Sequence, residues 1–197
     1  MKRKNARAYV CPCRKPKVYL AGPDVFDKNL NVRAANKKQI CADYGLEGKF
    51  PLDAALDLST CQSPQDRGVA ISAANEALIR ECDAVIANLT PFRGVSADAG
   101  TVYELGYATA LGKRVFAYTT EPILYTERVE RGFGPIDKNT GRDINTQAVE
   151  LFELHDNLML DGSLRTRGNP LVANPNALQG FVKCVEMLVA DLNENPL

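Results

Sequence analysis

The chain has 197 residues, 45% of them hydrophobic, and its 24 acidic side chains balance its 24 basic ones. A length of this order suits one domain that buries a core without disulfide or metal staples, so the six scattered cysteines predict reduced thiols. A formal charge of zero gives no global electrostatic case for nucleic acid or a membrane surface. No apolar run reaches the roughly 18 residues of a membrane span. We therefore expect a cytoplasmic protein that binds neither nucleic acid nor a membrane.

Residues 1–16 form a basic stretch without an acidic side chain, with Cys11 and Cys13 in its middle. Two cysteines one residue apart and a single histidine, His155, make a poor zinc set, so we predict no metal site. No glycine-rich dinucleotide or phosphate loop is present either, which predicts no cofactor. We interpret residues 1–16 as a poorly ordered tail and residues 17–197 as a single domain.

The apolar patterns predict strands that alternate with helices along the chain. The predicted strands are 17–21, 49–52, 84–89 and 115–118, and the predicted helices are 31–44, 68–82, 101–111 and a last helix that Asn174 caps. Segment 53–66 is interpreted as a long loop, 120–145 as a flexible excursion and 147–154 as a short helix. Right-handed crossovers then predict an α/β three-layer sandwich, Rossmann-like and of flavodoxin-like type, around a five-stranded parallel sheet.

Two carboxylates, Asp98 and Glu104, follow the predicted strand 84–89, where a parallel sheet has its ligand-binding edge. One interpretation is structural, because Thr101-Val102-Tyr103-Glu104 fits a capping box and acids are favoured at helix starts. The other is catalytic, because one carboxylate can attack a sugar carbon while a second acid carries a proton to or from the leaving group. These residues alone leave both interpretations open.

Four motifs resemble those of the nucleoside 2-deoxyribosyltransferases. They are Tyr19-Leu20-Ala21-Gly22-Pro23, the strand Asp83 to Ala87, the run Asp98-Ala99-Gly100-Thr101-Val102-Tyr103-Glu104-Leu105-Gly106, and Asn157-Leu158-Met159-Leu160. Each motif is a weak signal alone, and their order along the chain makes the set more specific. The resemblance covers residues 17–120 and returns at the fourth motif.

The resemblance implies a glycosyltransferase of the pentosyltransferase kind, with a role in nucleotide metabolism through purine or pyrimidine salvage. Its substrates would be a deoxynucleoside and a free nucleobase. Glu104 would form a covalent glycosyl enzyme, Asp98 would carry the proton, and two inversions would give retention at C1′. Tyr19 would lie beside Glu104, although a tyrosine buried in the core explains the same residue.

Six further residues are candidates for substrate binding. Gly22 lies at the nucleotide-facing turn, and Phe26 either stacks on a base or plugs the core. The resemblance places Asp53 near the base, although a solvated loop acid explains the same residue. It aligns Asn75 with an acid that contacts the base in many relatives, although an exposed helix residue explains Asn75 equally well. The resemblance also includes Gly100 in its third motif. It also implies that Asn157 enters the pocket of an adjacent subunit, which predicts a homo-oligomer with a shared active site.

Two other functions fit the same residues. The first is an N-glycoside hydrolase for nucleosides or 5′-nucleotides, in which water resolves the glycosyl enzyme. The second is a non-catalytic nucleotide-binding module, in which Asp98 and Glu104 are only helix caps.

Overall fold

The computed structural model describes residues 14–53 and 56–197. Its five strands form one parallel sheet, and they are β1 (Lys17–Ala21), β2 (Glu47–Lys49), β3 (Ala84–Asn88), β4 (Arg114–Thr119) and β5 (Val172–Ala173). The helices are α1 (Leu30–Asp43), α2 (Pro64–Glu81), α3 (Ala99–Ala110), α4 (Tyr125–Phe133), α5 (Asp161–Arg165) and α6 (Ala177–Glu194).

The strand order is β2-β1-β3-β4-β5, which is the flavodoxin-like order of doubly wound folds. Helices α1 and α6 share one apolar core with the sheet, and α2 and α3 share the other. The predicted three-layer α/β sandwich is therefore confirmed. The order reverses between β1 and β3, and ligands of such sheets bind beyond the carboxyl ends of the strands at this point.

Alternation along β1 decides which side chains reach the candidate site. Val18 and Leu20 point into the core with α1 and α6, whereas Tyr19 and Ala21 point into the core with α2 and α3. Tyr19 is thus on the face whose helices carry Asn75 and Glu104.

Two predicted boundaries in the first half of the chain are wrong. The second strand ends at Lys49 instead of residue 52, because Pro51 has no N–H to donate and begins a short 3₁₀ helix, Pro51–Asp53. Helix α2 begins at Pro64 instead of Gly68, because Ser63 and Asp66 form a capping box that the apolar pattern does not show.

The second half differs more from its prediction. Helix α4 lies inside the segment interpreted as a flexible excursion, whereas residues 147–154 are not helical. Ala148 instead pairs with Arg142 in an antiparallel bridge. Asn174 donates its backbone N–H to the carbonyl of Thr119, and Asn176 is the residue that caps α6.

Most of the predicted basic tail, including Cys11 and Cys13, lies outside the described residues. Arg14 is described, and its guanidinium pairs with the carboxylate of Asp83 at 2.6 Å. None of the helices in the described ranges is long and apolar enough to cross a bilayer.

Candidate active site

A cavity of about 250 Å³ opens between helices α2 and α3. We call it the carboxylate cavity, and its lining consists of Gly68, Ile71, Ser72, Asn75, Glu76, Ile79, Gly100, Tyr103 and Glu104. Two acids and one amide therefore meet in a space walled by two helices. Three residues predicted from the sequence as site residues, Asn75, Gly100 and Glu104, lie in the same cavity.

Asp98, but not Glu104, caps helix α3. Its Oδ2 atom accepts hydrogen bonds from the backbone N–H of Thr101 at 2.9 Å and from the Thr101 hydroxyl at 3.0 Å. The predicted capping box from Thr101 to Glu104 is wrong, because the helix begins three residues earlier than that motif requires. Glu104 lies in the second turn, beyond the N–H groups that a cap satisfies.

A side chain of the sheet, Tyr19 in β1, fixes the position of Glu104 by a hydrogen bond. The Tyr19 hydroxyl donates to Glu104 Oε1 at 2.5 Å, a distance typical of a hydroxyl bound to a carboxylate. Tyr19 is 0% exposed and fixed within β1, so it places the carboxylate at a defined point of the cavity. The explanation of Glu104 as a helix cap is therefore excluded.

Burial is the main cause that raises the pKa of Glu104 to about 7. The hydrogen bond from Tyr19 acts in the opposite direction, and the charge of Asp98 adds to the increase. Burial, followed by the charge of Glu104, raises the pKa of Tyr19 well above its ordinary value, so the hydroxyl remains a donor. The Glu104 carboxyl group therefore changes its charge near neutral pH.

Asn75 offers an unused acceptor in the carboxylate cavity. Its Oδ1 atom is buried and has no hydrogen-bond partner among the described residues. A buried polar atom without a partner is unfavourable, so a ligand that donates a hydrogen bond there would be stabilised.

Glu76, beside Asn75, is a cavity residue that the sequence interpretation missed. The Tyr103 hydroxyl donates to Glu76 Oε1 at 2.5 Å, and Arg80 donates to Oε2 at 2.8 Å. The Tyr103 contact joins α3 to α2 across the cavity, and the Arg80 contact lies within α2. The Glu76 and Arg80 spacing of four residues was the available sequence signal, since such pairs share one helix face.

Gly100 leaves room for the cap of α3. A Cβ atom at this position would lie 3.1 Å from Asp98 Oδ2, which is closer than side chains normally approach. The structure thus brings together five of the predicted site residues, namely Tyr19, Asn75, Asp98, Gly100 and Glu104.

Two predicted residues of the first turn lie elsewhere. Gly22 is buried directly after β1, beside the end of β3, where a Cβ would lie 2.8 Å from the Cβ of Asn88. Phe26 is 58% exposed and stacks on Phe92, with 5.2 Å between ring centroids. Both rings line a separate pocket of about 460 Å³ at the carboxyl ends of the strands, on the side of α1 and α6.

Asp53 and Asn157 are also outside the carboxylate cavity. Asp53 pairs with Lys38 and accepts a hydrogen bond from the Phe50 N–H at 2.8 Å. Asn157 donates to Glu150 at 2.6 Å and accepts from the Met159 N–H at 2.9 Å. Both side chains thus serve local structure within this chain. The described ranges hold no group of three or more metal-ligating side chains.

The sequence was compared with protein families and with known proteins. The model of a family described as nucleoside 2-deoxyribosyltransferase matches residues 18–159. An uncharacterized protein of Schizosaccharomyces pombe, C191.05c, is 28% identical over 200 residues, which cover 92% of each chain.

Solved structures show the same fold. A 2-deoxyribosyltransferase from Leishmania mexicana is 28% identical with a TM-score of 0.60, and the match covers 87% of this chain and 97% of the other. A protein from Enterococcus faecalis is 23% identical with a TM-score of 0.53, and the match covers 88% and 99%. The second likeness concerns the fold alone.

Proposed function

The chain belongs to the nucleoside 2-deoxyribosyltransferase family, and from this premise we propose that it moves a 2-deoxyribosyl group between nucleobases through an ester on Glu104. The main support for the proposal is the environment of Glu104. Its carboxylate is half-buried, lines a cavity and accepts a hydrogen bond from Tyr19, and it has no role in capping its helix. An acid that is shielded from solvent and forms no ion pair with a basic side chain is often a reacting group.

The proposed reaction has two displacements. In the first, a Glu104 oxygen forms a bond to C1′, the glycosidic C–N bond breaks, and the leaving base receives its electron pair and a proton from Asp98. In the second, Asp98 takes a proton from an incoming base, whose nitrogen attacks C1′ and releases Glu104. Two inversions give net retention, as in retaining glycosidases. Tyr19 orients Glu104 and favours its ionised form through the hydrogen bond.

Asn75 is proposed to contact the base. Its buried Oδ1 atom can accept a hydrogen bond from a ring or exocyclic N–H of the substrate. A side-chain amide is neither an acid nor a base at neutral pH, so the proton transfers in this scheme remain with Asp98. Gly100 contributes by the space it leaves for Asp98.

The active site is proposed to be shared between copies of this chain. Asn157 lies next to Leu158 and Met159, whose side chains are 40% and 68% exposed, and Leu151 and Phe152 nearby are also exposed. Several exposed apolar side chains close together favour a protein–protein interface at this surface. A second copy that covers them would bring its own Asn157 to the carboxylate cavity, and the cavity of one chain alone is smaller than the 300–1,000 Å³ usual for small-molecule sites.

The test is a base-exchange assay in which the protein is mixed with a deoxynucleoside and a different free base. Chromatography should show the exchanged deoxynucleoside only when the second base is present. Release of free base at equal rates with and without the second base would instead indicate a hydrolase. No change in either mixture, across nucleosides and their 5′-phosphates, would favour the binding module.

A further inference from the structure

The loop between β3 and α3 carries Asp98, and its own hydrogen bonds are few. Pro91 pairs with Ala97 in an antiparallel bridge, and the Phe92 N–H donates to the Ser96 carbonyl at 3.1 Å. Arg93 at the tip has a φ of 54°, an uncommon conformation for a residue other than glycine. A loop of this kind needs outside support if the residue that follows it must hold a fixed position.

A buried arginine from helix α4 supplies one part of that support. Arg128 is 6% exposed, and its Nε atom donates to the Val95 carbonyl at 2.7 Å. Its Nη1 atom donates to the Ile123 carbonyl at 3.3 Å, and its Nη2 atom to Asp156 Oδ2 at 3.2 Å. Each of the three nitrogen atoms of the planar guanidinium is thus used, which lysine could not reproduce.

A buried aspartate supplies the other part. Asp156 is 1% exposed, and its Oδ2 atom accepts the Ala97 N–H at 3.2 Å in addition to the bond from Arg128. Its Oδ1 atom accepts the N–H of Asn157 at 2.8 Å. The ion pair therefore binds the loop at Val95 and at Ala97, on both sides of Ser96. Asp98 follows Ala97 directly in the chain.

We infer that Arg128 and Asp156 are positioning residues that fix the Asp98 loop and couple it to helix α4 and to the Asn157 segment. The inference rests on the proposed function, because it assigns the pair a purpose in placing the proton carrier. Neither side chain lines the carboxylate cavity. A buried ion pair is often no more stabilising than apolar side chains of similar size, so its presence here suggests a requirement for geometry.

The experiment compares Arg128→Lys with Arg131→Lys as the matched control. Arg131 lies on the same helix, is largely exposed, and pairs only loosely with Glu127 at 3.8 Å. Misplacement of a reacting group by about 1 Å can lower a rate roughly 10²-fold. For Arg128→Lys we expect kcat to fall by about 10- to 100-fold with KM within about twofold, and the Ala97 amide to exchange its hydrogen at least about tenfold faster. Arg131→Lys should change neither quantity.

Arg128→Lys alone could destabilise the protein. A double variant, Arg128→Met with Asp156→Leu, controls for this, because it replaces both buried charges by apolar groups and leaves no unpaired charge. Its melting temperature should stay near that of the wild type while kcat falls as in Arg128→Lys. Wild-type kcat in either variant, or an unchanged Ala97 exchange rate in Arg128→Lys, would overturn the inference. If the wild-type protein shows neither transfer nor hydrolysis, the proposed function fails, and the purpose assigned to the pair fails with it. Ala97 exchange needs no turnover, so it separately shows whether the pair holds the loop.

Discussion

At the scale of single residues, the environment of Glu104 determines its chemistry. Burial makes the ionised carboxylate less favourable, and the Tyr19 hydroxyl offsets part of this effect. The residue is therefore poised between its two charge states near pH 7.

Activity should depend on pH through Glu104. As the proposed nucleophile, Glu104 must be ionised, so kcat should fall as the pH decreases below about 7. Tyr19→Phe removes a hydrogen bond that lowers the pKa of Glu104, so the acidic limb of the profile should move to higher pH. At pH 7 we expect a loss of roughly tenfold or more. A profile of kcat against pH for both proteins decides this, and a limb that moves to lower pH would contradict it.

Stability should depend on pH through the same group. The pKa of Glu104 is higher in the folded protein than its ordinary 4.5, so its contribution to folding is full below about pH 4.5 and is lost as the pH rises through 7. Glu104→Gln stays neutral and avoids this loss. The variant should gain roughly 2–3 kcal/mol over the wild type between pH 4.5 and pH 8. Urea unfolding at the two pH values measures the difference, and an equal stability difference at both would refute the assignment.

At the scale of elements, helix α3 separates the two acids that the sequence presents together. Asp98 is its cap, and Glu104 is on the second turn facing β1. A capping role and a chemical role can therefore be tested independently at Asp98.

Asn is as good a helix cap as Asp, but it cannot carry the proton. Asp98→Asn should keep the free energy of unfolding within about 0.5 kcal/mol and lose transfer, whereas Asp98→Ala should lose transfer and about 1 kcal/mol. Ser63→Ala, at the cap of α2, serves as a control that loses about 1 kcal/mol and retains turnover. Full transfer by Asp98→Asn would remove Asp98 from the mechanism.

The sequence predicted the buried elements best. Strands β1, β3 and β4 and helix α3 were found to within two residues, because their apolar patterns are dictated by burial. Capping at Asp98, Ser63 and Asn176 was missed, since it depends on the backbone path before each helix. The resemblance implied that Tyr19 lies beside Glu104, and strand alternation is consistent with it. The Arg128 and Asp156 pair joins residues 28 apart in an irregular region that carries no periodic signal.

At the scale of the whole molecule, the proposed shared site rests on the place of Asn157 and on exposed apolar side chains. Its carboxylate cavity has no contact from Asn157, and the apolar side chains beside Asn157 are exposed. A shared site explains both facts, because one interface would cover these side chains and complete the cavity.

Subunit complementation tests the shared site. Glu104→Gln and Asn157→Ala should each show little transfer alone. Subunits of the two variants, unfolded together and refolded as a mixture, should regain activity, because a hybrid interface pairs an intact Glu104 with an intact Asn157. A mixture no more active than its separate components would show that each chain uses its own residues.

The central claim is the bond between Glu104 and the sugar, and mass spectrometry of the quenched reaction tests it most directly. The protein is mixed with a deoxynucleoside, acidified and digested. We predict that the peptide containing Glu104 carries one deoxyribosyl group, that added free base removes it, and that Glu104→Gln never acquires it. Base exchange by Glu104→Gln at the wild-type rate, or a deoxyribosyl group on another residue, would contradict the account.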